Sequence, residues 1–226
     1  MDQASAQERL EGVRSAIAKA ARLAGRRGQD VELIAVSKTQ DAGAILPLLE
    51  AGQRAFGENR VQEAAAKWPA LKADWPDVRL HLIGQLQSNK AEQAVALFDV
   101  IHSVDRASLI AALGAASAKS GRRPECFIQV NLAGEAQKGG CAVADLSGLI
   151  DQARAANLQV SGLMCIPSAD REPAPWFALL AELARRHGLA GLSVGMSGDF
   201  ETAIMVGATH VRIGTALFGA REPQAA

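Results

Sequence analysis

Eight short apolar runs rich in β-forming residues recur along this chain, with helical stretches between them, and that alternation constrains the fold most. The runs are VELIAVS (31–37), RAFGEN (54–59), VRLHLIG (78–84), DVIHSVD (99–105), ECFIQVN (125–131), LQVSGLMCI (158–166), LSVGMS (192–197) and THVRIG (209–214). Several are apolar on both faces, as strands buried on both sides of a parallel sheet must be. Between them, apolar residues fall at helical spacing: Ile45, Leu48 and Leu49; Leu109, Ala112 and Leu113; Leu146, Leu149 and Ile150; Phe177, Leu180 and Leu183. Strand followed by helix, eight times over, predicts an α/β protein built as a single (β/α)₈ TIM-type barrel. An open doubly wound sheet is the rival, but eight strands without a shift in composition close more naturally into a barrel. A chain of 226 residues suits one domain, because a single core can grow to about 250 residues. We therefore expect one domain over 1–226, with an extra N-terminal helix at about 4–25 and the barrel at about 31–219. The stretches 134–140 and 167–175 read as longer surface loops and not as domain boundaries.

Charge and composition exclude several classes of function. Twenty-four basic side chains balance 24 acidic ones, so the basic excess of a general nucleic-acid binder is missing. No apolar run is long enough to span a bilayer, and the opening MDQASAQERLEGVRS lacks the apolar core of a secretory leader. Cys126, Cys141 and Cys165 are an odd number without a C-x-x-C pair, which argues against a disulfide framework or a zinc knuckle. The expectation is a cytoplasmic globule. The chain contains no tyrosine.

In a barrel of this type the active face lies at the C-terminal ends of the strands. The seventh run leads into Met196-Ser197-Gly198-Asp199 and the helical FETAIMVG, and the eighth into Gly214-Thr215 and ALFG. Each is a turn of small residues opening onto a helix N-terminus, where free amides and the dipole favour an anion. Either loop alone reads as a structural turn with an N-cap. Two at adjacent strand ends point to a phosphate. Lys38 stands where the first run meets the same mouth. A lone lysine at a strand end is commonly just solvated, but an amine beside a phosphate site suits a Schiff base with a phosphorylated carbonyl compound. That compound could be a sugar phosphate, as in a lysine aldolase, or pyridoxal 5′-phosphate. His81, His102 and His210 read as hydrogen-bonded structural residues, Cys165 as a small buried hydrophobe, and no spacing supports a metal site. Serine-hydrolase and P-loop motifs are missing.

The stretches AVSKT (35–39), FGENRVQE (56–63), HLIGQLQSNK (81–90), IHSVD (101–105), GLMCIP (162–167), LSVGMSGDFETAI (192–204) and VRIGTALFG (211–219) carry a resemblance. Together they resemble the pyridoxal phosphate homeostasis protein family, relatives of the barrel domain of alanine racemase. The resemblance implies pyridoxal 5′-phosphate held as an aldimine on Lys38, with Ser197 and the backbone of Gly214 and Thr215 on the phosphate. It implies Arg212 facing the pyridine nitrogen and Asn59 beside the ring. It also implies a monomeric protein that buffers or delivers the cofactor, with apo-enzymes as acceptors, without established catalysis. A racemase acting on amino acids is the alternative.

Overall fold

The computed structural model describes residues 5–135, 137–168 and 171–219. Among these residues eight parallel strands close into a barrel in sequence order, the last pairing back onto the first. They are β1 Glu32–Val36, β2 Ala55–Glu58, β3 Arg79–Leu82, β4 Val100–Val104, β5 Glu125–Gln129, β6 Gln159–Met164, β7 Gly191–Ser193 and β8 His210–Ile213. The helices are α1 Ala6–Leu23, α2 Ala42–Glu50, α3 Val61–Asp74, α4 Ala91–Leu97, α5 Ala107–Ser120, α6 Leu146–Ala155, α7 Ala174–Arg186, α8 Phe200–Met205 and α9 Thr215–Phe218. The barrel expected from the alternation is present. The tail REPQAA and the expected first helical position, residue 4, lie outside the described residues.

The strands are apolar because each has two covered faces. Outward-facing side chains such as Ile101, Ile128 and Leu163 pack under the helices in one continuous core. Inward-facing Val100, Phe127 and Met164 form a separate cluster on the barrel axis. The same interior holds polar rings: His102 stacks on Phe127 with centroids 4.6 Å apart and planes 3° from parallel. His81 and His102 are fully buried. All three histidines assigned a structural place by sequence have hydrogen-bond or ion-pair partners: His81 and His102 pair with each other across the barrel, and His210 pairs with Glu32 and Thr209.

Helix α1 precedes the barrel and straps its seam. Its stripe Leu10, Val13, Ile17, Ala20 and Ala21 is buried, and Ser5 with Glu8 forms a capping box at its start. It packs on α2, α8 and α9, so it covers the join between β1 and β8 from outside. Arg9 donates from Nε to the Leu217 carbonyl at 2.6 Å, and Arg26 to the Ala208 carbonyl at 2.8 Å.

Strand seven differs from expectation. It runs over Gly191–Ser193 and stops before most of the apolar run at 192–197. Gly195 adopts φ +95°, and a Cβ there would stand 2.7 Å from the Ala203 Cβ, so only glycine lets the chain leave the sheet this close to α8. The Gly195 carbonyl accepts from the Arg212 amide at 2.9 Å, which holds residues 196–198 over the end of β8.

Candidate functional site

At the C-terminal end of the barrel lies a cavity of about 320 Å³. Lys38, Asn59, Ser197, Arg212, Gly214 and Thr215, the six residues singled out from sequence, all line it. Ile83, Ile166, Met196 and Phe218 supply apolar wall, and Gln40 a further polar group. These were not marked by the sequence, since nothing local separates a wall residue from any other apolar residue at a strand end.

Lys38 is placed by a braced turn. Past Val36 the chain runs Ser37-Lys38-Thr39-Gln40, closed by the Gln40 amide donating to the Ser37 carbonyl at 3.0 Å. Thr39 has φ +63°, a left-handed conformation that is costly for a β-branched residue unless its surroundings impose it. They do: its amide donates to Glu63 Oε1 at 2.6 Å. Beneath the turn, Lys67 Nζ donates to the carbonyls of Ser37 at 2.9 Å and Gln40 at 2.8 Å. It also pairs with Glu58 Oε1 at 2.9 Å, a carboxylate with no exposed side chain. Glu58 Oε1 further accepts from Ser37 Oγ at 2.5 Å and Trp68 Nε1 at 3.0 Å. Strand β2 and helix α3 thus clamp the lysine-bearing turn through groups far from it in sequence.

The opposite wall is made of two loops. In Met196–Asp199, the amides of Asp199 and Phe200 donate to the Met196 carbonyl, and the Met196 amide donates to Asp199 Oδ1 at 2.6 Å. Ser197, between them, lines the cavity. After β8, the carbonyl of Gly214 accepts from Leu217 and Phe218, leaving the first-turn amides of α9 as donors at the rim. Because Ile34 pairs with Arg212 and Ala35 with Ile213, the β1 and β8 ends sit side by side, bringing Lys38 next to Gly214.

Arg212 forms the floor, with 5% of its surface exposed. Its NH1 donates to the Ser193 carbonyl at 2.6 Å and to Ser193 Oγ at 2.7 Å, and its NH2 to the Cys165 carbonyl at 3.0 Å. Burial pulls its pKa below the usual guanidinium value, and these oxygens compensate the charge. A guanidinium has five N–H donors, so three are used by the protein and two remain.

Asn59 follows β2, and its backbone is pinned by Gly84, where a Cβ would fall 2.3 Å from the Asn59 carbonyl oxygen. A second cavity, of about 230 Å³, adjoins the first through Asn59, Ile83 and Ile166 and takes in Gln85, Asn131 and Lys138. Among the described residues no cluster of His, Cys, Asp and Glu could hold a metal ion, and no helix is long and apolar enough to cross a membrane. Cys126, Cys141 and Cys165 are free and buried, and burial raises each thiol to about 12.

The model of the alanine racemase N-terminal domain matches residues 10–222. The pyridoxal phosphate homeostasis protein of Pseudomonas aeruginosa is 44% identical over 222 residues, covering 95% of both chains. The chain belongs to this family. Among solved structures, PipY of Synechococcus elongatus with PLP bound shares 43% identity with this family member. The TM-score is 0.78, and the match covers 90% of this chain and 100% of PipY. Alanine racemase of Clostridium difficile shares only the fold, at 12% identity and a TM-score of 0.68 over 93% of this chain and 57% of the racemase.

Proposed function

We propose that this protein holds pyridoxal 5′-phosphate reversibly and buffers or delivers it. The observation that carries the reading is the meeting, on one cavity, of the Lys38 amine, two amide-rich loops and the half-used Arg212 guanidinium. The donor set fits the group. Ser197 and the amides of Gly214 and Thr215 suit a phosphate dianion, and the remaining N–H groups of Arg212 suit a pyridine nitrogen, an acceptor. Asn59 and the apolar wall of Ile83 and Ile166 would flank the ring. When bound, the cofactor supplies an aldehyde that condenses with a lysine amine, and Lys38 is the amine placed for it. A sugar phosphate could meet the Arg212 donors with its hydroxyls but would leave the apolar wall without a matching group.

Transport without turnover follows from what the cavity lacks among the described residues. Of its lining side chains only Lys38 and Arg212 ionise, and a guanidinium does not give up a proton. Stereoinversion at an amino-acid α-carbon needs an acid–base group on each face, and among the side chains that line this cavity only Lys38 can act. Cys165 and His81 do not line the cavity, and the chain has no tyrosine. A functional monomer is part of the proposal, and three free thiols support a reducing, cytoplasmic setting.

The test is reconstitution. Purified protein given the cofactor should turn yellow, lose its visible band on borohydride treatment and carry the label on Lys38. It should then pass cofactor, before reduction, to an apo-enzyme in competition with a scavenger. A label on Lys90 instead, or rapid racemisation of L-alanine in deuterated buffer, would overturn the reading.

A further inference from the structure

Beneath Arg212 a file of buried side chains runs along the barrel axis, hydrogen-bonded from Arg212 through Ser193 and His102 to His81, with Glu32 beyond it at the far end. Ser193 Oγ lies 2.7 Å from Arg212 NH1 and 2.8 Å from His102 Nδ1. His102 Nε2 lies 2.9 Å from His81 Nδ1. His81 Nε2 then faces Glu32 Oε2 at 3.6 Å, and that oxygen also pairs with His210 Nε2 at 3.2 Å. Ser193, His102 and His81 are fully buried.

The direction of this file follows from chemistry. A guanidinium can only donate, so Ser193 Oγ must accept from Arg212. With the serine proton turned to His102 Nδ1, the arrangement that lets the file end on the Glu32 anion, the His102 proton stands on Nε2. That proton goes to His81 Nδ1, so His81 also carries its proton on Nε2, aimed at the Glu32 carboxylate. Every donor points away from the cavity, and the acceptor at the end is an anion. Burial keeps both rings neutral, as this order requires.

We propose that Ser193 and His102 are positioning residues for Arg212. By anchoring NH1 from behind, they set the guanidinium plane so that its two remaining N–H groups point at the cofactor ring. The inference rests on the cofactor reading above and adds two residues that do not touch the cavity.

The test uses whole protein loaded with cofactor labelled with nitrogen-15 in the ring, and protein labelled in its histidines. In the unsubstituted protein both His81 and His102 should show the Nε2–H tautomer, with or without cofactor. Ser193→Ala and His102→Leu should move the ring-nitrogen signal toward that of an unbonded pyridine and weaken cofactor binding about tenfold, the effect of one lost hydrogen bond. His102→Asn, whose side-chain oxygen can still accept from Ser193, should restore the signal. A proton on His102 Nδ1, or an unchanged ring signal in folded Ser193→Ala and His102→Leu, would overturn the proposal. Should neither variant fold, the tautomers decide it. If the unsubstituted protein takes up no cofactor, the underlying reading falls and this proposal falls with it.

Discussion

The brace under the Lys38 turn gives a quantitative expectation. Lys67 is 11% exposed and Glu58 not at all, so Lys67→Met leaves a buried carboxylate facing only Ser37 and Trp68. Losing one partner of a buried pair costs about 3–5 kcal/mol, because the surviving charge stays desolvated. In a chain of this size each kcal/mol moves the melting temperature by roughly 2–4 °C, so the midpoint should fall by about 6–20 °C. Glu58→Gln removes the charge but keeps an oxygen for Ser37 and Trp68, and Lys67 keeps Glu63 and two carbonyls, so about 1–3 kcal/mol is expected. The double variant has no stranded charge and should be more stable than Lys67→Met alone. Urea unfolding of the four proteins, run as a double-mutant cycle, measures the coupling. The same variants should bind cofactor in order of how firmly the Ser37–Gln40 turn is held, with Lys67→Met weakest. A cost below about 1 kcal/mol for Lys67→Met, or a double variant as unstable as the sum of the singles, would refute the clamp.

Three further outcomes are expected. Gly84→Ala drives a methyl group into the Asn59 backbone, so it should destabilise by about 1–3 kcal/mol and weaken cofactor binding, read by thermal unfolding and titration. His81 is held neutral down to about 3 by burial, and His102 is likewise lowered by burial, whereas both take a proton in the unfolded chain below about 6.5. The unfolded state then binds more protons, so stability should fall with acidification below about pH 6, by up to about 1.4 kcal/mol per pH unit for each histidine that stays neutral. Glu32 extends the loss. Burial opposes its charge, but the His210 hydrogen bond and Arg79 bring it down to about 2, so its contribution disappears as pH falls from about 4.5. Replacing one histidine should halve the slope in pH-dependent urea melts. Finally, with all three thiols buried and raised to about 12, a thiol reagent at pH 8 should modify the native protein only at the rate of unfolding.

The barrel was legible because its grammar is local: apolar runs, helical spacing and turn residues all lie within short windows. Strand seven shows the limit. LSVGMS looks like a strand throughout, but the sheet ends at Ser193 because Gly195 turns under α8, a contact set by tertiary packing. The cavity residues were legible because strand ends share one face, so Lys38, Ser197, Arg212 and Gly214 could be brought together without knowing the register. Their supports were not. Lys67 reads as one more solvent-facing lysine on α3, Ser193 as a small polar residue in a strand, and His81 and His102 as isolated rings. Their meaning depends on which strand neighbours which and which side chains point inward. One signal was present: polar rings recurring at inward positions of successive strands, where an apolar filling is the rule.

The seam between β1 and β8 has a temporal consequence. Lys38 belongs to the first strand end, while Arg212, Gly214 and Thr215 belong to the last, so the cavity does not exist until strands about 175 residues apart in sequence have joined. A nascent chain emerging from the ribosome can hold no cofactor until β8 has been made, however much of the earlier barrel has formed. Once closed, a ligand touching both strand ends acts as a latch across the seam. At a hundredfold excess over its Kd it would add about 2.7 kcal/mol against reopening there. Cofactor supply would then be felt as protein lifetime, with the empty form the one offered to proteases.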